Sequence, residues 1–172
     1  MSKVYLYTHG EGWKPFDLSN KEEFKKRDIV IGYRAEIGYR SKIGDYAKIG
    51  NEAVIGYEAK IGNGVVIGNG AKIGYRAKIR DGVKIGYEAK IGDGVKIEYR
   101  AEIGNHVTID SWVVIGCNTV IGSYTKIKAG VEIENLVTIE DHVVIGAHTV
   151  IRPGVTIKEG VNLEAFSVVR MA

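Results

Sequence analysis

The chain has 172 residues, 45% of them hydrophobic, with 24 Lys plus Arg against 21 Asp plus Glu and a net charge of +3. This suffices for one domain with a real core or a solenoid with small caps, and so mild a charge imbalance argues for neither nucleic acid nor a membrane surface. Glycine is frequent at 23 and proline rare at 2, but the glycines recur at fixed spacing among isoleucines, which excludes a collagen or linker composition.

Residues 1–30 read as an N-terminal cap. Val4 to Tyr7 alternates with polar neighbours as a short strand does. The run H-G-E-G-W-K-P-F, His9 to Phe16, reads as a loop. Ser19 with Glu22 forms a capping box for a short helix from about Asn20 to Arg27. Trp13, Phe16, Leu18 and Phe24 would give this segment an apolar face to lay over whatever follows. The first residues hold no apolar run long enough for a signal peptide, and no segment approaches the length of a transmembrane helix. Together with the lone Cys117, which rules out an intrachain disulfide, this places the expected location in the cytoplasm.

From Ile31 every sixth residue is isoleucine, 22 in succession to Ile157, and Leu163 and Val169 keep the register. Four residues after each, from Ala35 to Ser167, stands only Ala, Ser, Thr or Val. An α-helix would scatter such a set around its axis. A strand alternates with period two, so the small residue and the next isoleucine point inward and the residue between them points out. That outward residue is Lys, Glu, Thr or Val in nearly every unit. The three residues after each isoleucine must then turn the chain. Gly, Asn and Asp crowd all three positions, as tolerance of positive φ would explain.

Units such as I-G-Y-R-A-K (Ile73 to Lys78) and I-G-D-G-V-K (Ile91 to Lys96) resemble the hexapeptide-repeat superfamily over residues 31–169, with no insertion. The resemblance implies an all-β fold, a left-handed parallel β-helix in which three units, 18 residues, close one triangular coil, giving about 7–8 coils over residues 31–172. Residues i and i+18 would then stack about 4.8 Å apart. Tyr39, Tyr57 and Tyr75 would form a stacked aromatic ladder, and Arg40, Glu58, Arg76 a column of alternating charge, repeated by Arg34 and Glu52. Lys42, Lys60, Lys78 and Lys96 would stack with like charge. At the far end only Phe166 and Met171 are bulky enough to cover the last coil.

The second half differs from the first. Residues 31–102 carry mostly Ala at the inward small position, whereas from Ile103 this becomes Val or Thr and the corners become individual, with His106, Trp112, Cys117, Tyr124, His142 and His148 among them. The outward position gains Val114, Val120, Val144, Val150 and Val168, which suggests a contact surface. Members of the superfamily are commonly homotrimers with sites between subunits. The resemblance therefore implies a homotrimer formed through the Val-rich faces of residues 103–168, while the charge balance leads to the expectation of no nucleic acid and no membrane as partners.

The resemblance offers two chemistries. In the acyltransferase branch a histidine acts as general base on a hydroxyl or amine, with acyl-CoA or an acyl carrier protein as donor. His142 and His106 are the candidates here. Ile139-Glu140-Asp141-His142 has the residue types of a pattern found at such corners, with the last two exchanged, and Glu140 or Asp141 would orient the imidazole. The extruded loop and the C-terminal segment of many relatives are missing. In the γ-class carbonic anhydrases, histidines from two subunits hold a metal, and His142 of one chain facing His148 of another would resemble that arrangement. Both sit at the third corner position, which departs from that family's spacing. His106 and His142, two coils apart at about 10 Å with Tyr124 between them, are too far apart to share one ion. Cys117 has no basic neighbour to activate it and reads as a small corner residue. Three readings follow: an acyltransferase acting on a small substrate, a metalloenzyme with shared histidines, and a non-catalytic structural or engineered scaffold.

Overall fold

The computed structural model describes residues 3–8 and 11–171. Beyond residue 30 the chain is a left-handed parallel β-helix of about eight coils. Twenty-four strands of two residues each, from Val30–Ile31 to Val168–Val169, fall into three flat faces. Face 1 starts with Val30–Ile31, face 2 with Glu36–Ile37 and face 3 with Lys42–Ile43, and each strand pairs in parallel with the strand 18 residues on. The isoleucines fill one interior. Those from Ile37 to Ile157 are at most 7% exposed, and the small residues opposite them are closed off between. Burying one such side chain stabilises the fold by roughly 1.5–3 kcal/mol, and the repeat gains this once per unit. Four hydroxyls share the interior without being stranded. Ser41, Thr119, Thr125 and Thr149 each donate to the carbonyl 15 residues ahead, at 2.9–3.2 Å.

The three corner positions have three separate causes, where tolerance of positive φ had been expected to explain all of them. Only the third position is left-handed. From Arg34 to Phe166 its φ lies between +51° and +73°, whichever residue occupies it. For a residue with a Cβ this costs roughly 1–2 kcal/mol. The position is held by its N–H, which donates to the second-position carbonyl of the preceding coil, as from His106 to Tyr87 at 2.8 Å.

The first position is glycine for lack of room. A Cβ at Gly86 would stand 2.6 Å from the Gly104 carbonyl carbon and from Asn105 Oδ1. Where the second position beyond the first coil is Asn, Asp or Ser, its side-chain oxygen accepts the N–H of the equivalent residue one coil earlier. Ten such bonds of 2.7–3.2 Å are present among the described residues. The two rules are coupled. In all ten cases the residue 19 places before the acceptor is glycine. Where the first position carries a side chain, as at Asp110 and Lys128, the residue above is another type, Ala129 and Ala147.

The cap departs from expectation in detail. Gly12–Asp17, all but its last residue expected within a loop, is a strand (β2) antiparallel to β1, Lys3–Thr8, while His9 and Gly10 lie outside the described residues. β1 joins face 3 beside Lys42–Ile43, making that sheet ten-stranded against eight for each of the others. The helix α1, Lys21–Lys26, starts one residue later than the capping-box reading. Asn20 is its N-cap, accepting from Glu23 N–H, while Ser19 binds Asp17. Phe24 is buried and Phe16 and Leu18 pack against the core. Trp13 instead faces outward, edge-on to Tyr7 at 5.6 Å and under the Lys42 ammonium at 5.1 Å. At the other end Phe166 and Met171 do not cover the last coil. They are 76% and 67% exposed, because both occupy corners rather than the interior.

Candidate active site

The stacking register brings four aromatic or imidazole rings and one carboxylate together along the corner between faces 1 and 2. Tyr87 stands edge-on to His106 at 5.3 Å. The His106 ring lies on Tyr124 at 4.9 Å and 17°, and Tyr124 lies on His142 at 5.1 Å and 3°. The expected position of Tyr124 between the two histidines is therefore found. Glu88, one coil before His106, places Oε2 3.3 Å from His106 Nδ1. Glu88 also accepts from the neighbouring Tyr87 phenol, which holds that phenol's pKa above its ordinary value; the hydrogen bond is the main cause and the carboxylate's charge adds to it. Glu88 is not among the residues that the sequence motifs mark as a site. The signal that would have found it is the one that placed Glu58 between Arg40 and Arg76, an opposite charge 18 residues away.

His142 has no such carboxylate among the described residues. Asp141, expected to orient the ring, turns its Oδ1 to the Ser123 N–H at 2.7 Å. Glu140 is held by the Lys158 ammonium at 2.9 Å and the Glu159 N–H at 3.0 Å, which together keep its pKa below the ordinary carboxylate value. Both carboxylates are occupied by the coil stacking itself.

His148 lies on the corner between faces 2 and 3, across the Val144–Ile145 strand from His142, as the spacing implied. Its ring covers Gly130 and is covered in turn by Phe166 at 5.4 Å and 13°. No group of three or more His, Cys, Asp or Glu side chains that could hold a metal occurs among the described residues. Within one chain the donor set does not fit a metal centre, since His142 and His148 stand on different corners. Cys117 sits on the third corner, half-buried, with its N–H donated to Asn135 Oδ1 at 2.8 Å.

Other expected columns resolve differently. Glu58 is held by Arg76 at 2.7 Å and approached by Arg40 at 3.9 Å, as alternating charge predicts. Tyr39, Tyr57 and Tyr75 share a corner, but among the described residues their rings do not stack. The guanidinium of Arg40 covers Tyr39 at 5.4 Å and that of Arg76 covers Tyr75 at 4.7 Å. Arg34 likewise lies over Tyr33 rather than pairing with Glu52. The outward valines do not form one patch. Val114, Val150 and Val168 are on face 3, Val120 on face 1 and Val144 on face 2. A groove of about 1020 Å³ lies at the other end of the molecule between α1 and the first coils, lined by Leu18, Phe24, Ile29 and Val66 among others. No helix among the described residues is long and apolar enough to cross a membrane.

Comparison with known proteins agrees with this architecture. A solved structure from Bacillus cereus, provisionally described as an acetyltransferase, superposes with a TM-score of 0.51 at 17% identity, covering 81% of this chain and 76% of that one. UDP-N-acetylglucosamine acyltransferases from Bacteroides fragilis and Arabidopsis give TM-scores of 0.42 and 0.45 at 22% and 20% identity. The alignments cover 79% and 83% of this chain but only 64% of each of those two. Curated proteins give no match. The family profile described as hexapeptide repeat of succinyl-transferase matches residues 64–99. The profile described as bacterial transferase hexapeptide (six repeats) matches residues 40–75, 100–135 and 136–170, well over half of the sequence, and the chain belongs to that family.

Proposed function

We propose that the chain is an acyltransferase in which His106 is the general base and Glu88 orients it. The carrying observation is the 3.3 Å approach of Glu88 Oε2 to His106 Nδ1. A carboxylate there favours the tautomer with the proton on Nδ1, leaving Nε2 basic, and stabilises the imidazolium once Nε2 has taken a proton. The reaction it suits is transfer from a thioester such as acyl-CoA to a hydroxyl or amine. Nε2 removes the acceptor's proton, the oxygen or nitrogen bonds to the thioester carbonyl carbon, the carbon–sulfur bond breaks, and the thiolate leaves with the proton returned by the imidazolium.

The corner is convex, and a convex edge cannot by itself bury a small substrate. The second wall of the site comes from another copy in a homotrimer. Trp112, 70% exposed on the corner that borders face 3, with Val114 next to it on that face, offers the apolar contact for such an assembly.

The test is release of free thiol from a panel of acyl-CoAs with hydroxyl and amine acceptors. His106→Ala is expected to slow transfer by about 10²–10⁴-fold, and Glu88→Gln by about 10–100-fold through loss of orientation. His142→Ala should leave the rate within a few-fold. Equal rates in the parent and His106→Ala proteins, or a sedimentation mass of one chain at micromolar concentration, would remove the proposal. A second reading is favoured by one observation. The 3° stack of His142 on Tyr124 is what a purely structural ring ladder requires, and a protein that transfers no acyl group from any donor would be a scaffold of this kind.

A further inference from the structure

Face 3 carries a feature that acyl transfer at the first corner does not use. Lys42, Lys60, Lys78 and Lys96 occupy its outward row in four successive coils, in direct register, so neighbouring strands hold them about 4.8 Å apart. No other face has more than two lysines in succession. The nearby carboxylates do not neutralise the row. Glu58 is taken by Arg76 and Arg40, Glu98 by Arg80 at 3.6 Å, and Asp45 by Arg27 at 3.3 Å, while Asp81, in the groove beside Lys60 and Lys78, turns its Oδ1 to the Asn63 N–H at 2.9 Å. On face 1, by contrast, Lys84 has its own partner in Glu102 at 2.8 Å.

Shallow grooves of about 340 and 270 Å³ flank the row, sharing Lys60 and Lys78 between them. The row has two defined ends. Toward the C-terminus it stops at Val114. Toward the N-terminus the hairpin continues the same face with Tyr5, in register with Lys42, and the outward ring of Trp13.

We infer that this face binds a linear anionic oligosaccharide, one whose sugars each carry a sulfate or carboxylate, laid along the solenoid axis with a sugar ring against Trp13. An evenly spaced row on a flat surface suits an extended ligand with one charge per repeat. A compact anion would need converging donors instead, as backbone N–H groups provide at a nest. The aromatic end supplies the flat apolar contact that a pyranose offers and an inorganic polyanion lacks. Four cations between two ends also set a length, so affinity should rise with chain length up to about four charged sugars and then level off.

The experiment is calorimetric titration with size-defined heparin oligosaccharides in about 0.01 M salt, where screening sets in only beyond about 30 Å, repeated at about 0.15 M. Lys60→Ala/Lys78→Ala is expected to weaken binding about tenfold or more. Lys72→Ala/Lys90→Ala, which removes the same charge from face 2, should change it by less than about threefold. Trp13→Ala should cost about 3–10-fold against the oligosaccharide and nothing against tripolyphosphate. Equal losses in the two lysine pairs would show attraction to net charge alone and overturn the inference, as would the absence of binding by the parent protein at low salt. Equal affinity for tripolyphosphate and the oligosaccharide would overturn the assignment to a sugar. None of these readouts depends on acyl transfer.

Discussion

Residues 31–102 put lysine on most of their outward positions and turn most of their corners with Tyr-Arg, Tyr-Glu, Asn-Gly or Asp-Gly, whereas residues 103–169 put Val or Thr on most of theirs and His, Trp, Tyr, Leu and Phe at several corners. The interior does not register this change. Ile61 in the first half and Ile115 in the second are both sealed, and the ladder of side-chain oxygens capping the preceding coil runs through both, from Asn51 on Tyr33 to Asp141 on Ser123. A solenoid whose coils touch only their neighbours can keep its stacking rules constant and vary everything that points outward. The lysine row and the ring column are two such variations on one frame, at opposite ends and on different sides.

The strongest way to break this comparison is to open the interior in each half. Ile61→Ala and Ile115→Ala should each cost about 2–5 kcal/mol and agree with each other within the scatter of such changes, read as shifts in the urea unfolding midpoint. A much smaller loss in one half would mean that the shared frame is not shared energetically. The next effect comes from the corners. Gly50→Ala would set a Cβ 2.6 Å from Asn69 Oδ1 and the Gly68 carbonyl carbon, and Gly116→Ala would do the same against Asn135 Oδ1 and the Glu134 carbonyl carbon. Each should cost about 1–3 kcal/mol by overpacking. Asn69→Ala or Asn135→Ala alone should cost about 1 kcal/mol for the lost hydrogen bond. Each double variant should be less damaging than the sum of its two singles, because Ala129 above Asp110 and Ala147 above Lys128 are the arrangements the chain already uses where glycine is missing. Strict additivity in both halves would show that the glycine and the capping oxygen are not linked.

How far the sequence could be read follows from the same mechanics. The six-residue period of isoleucine determines which side chains are inside, and a register of 18 then places Tyr124 between His106 and His142 without further information. What the period cannot supply is where a side chain goes once it has two partners to choose from. Tyr39 lay under Arg40 instead of against Tyr57, and Asp141 turned to a backbone N–H rather than to His142, because a neighbour in sequence or a fixed amide outcompetes a ring or imidazole one coil away. Glu88 was legible through opposite charge at the stacking interval and was passed over for the residues flanking His142. The cap, having no repeat, had only local cues. Pro15 and the glycines at 10 and 12 suggested a loop, yet β2 is the outermost strand of its sheet, where a missing N–H costs no ladder bond.

The smallest effect distinguishes the halves by charge rather than by packing. Glu58 in the first half and Glu140 in the second both have carboxyl pKa values held below the ordinary 4.5, Glu58 by its hydrogen bond from Arg76, Glu140 by hydrogen bonds from Lys158 and the Glu159 N–H. A depressed folded-state pKa contributes stability that is present above the unfolded value and is lost as pH falls through the folded one. Both contributions should therefore stay constant between about pH 7 and pH 5 and be lost as pH falls below about 4.5. Since both are exposed, added salt should shrink the contribution of the Arg76 and Lys158 partners. It should shrink that of the Glu159 amide, a short neutral contact, much less. Glu58→Gln and Glu140→Gln should each flatten the acid limb of the melting curve, and Glu140→Gln should keep more of its effect in about 1 M salt. The same salt response from both variants would mean that the backbone amide adds nothing to Glu140, and that the corners of the two halves hold their carboxylates by side-chain charge alone.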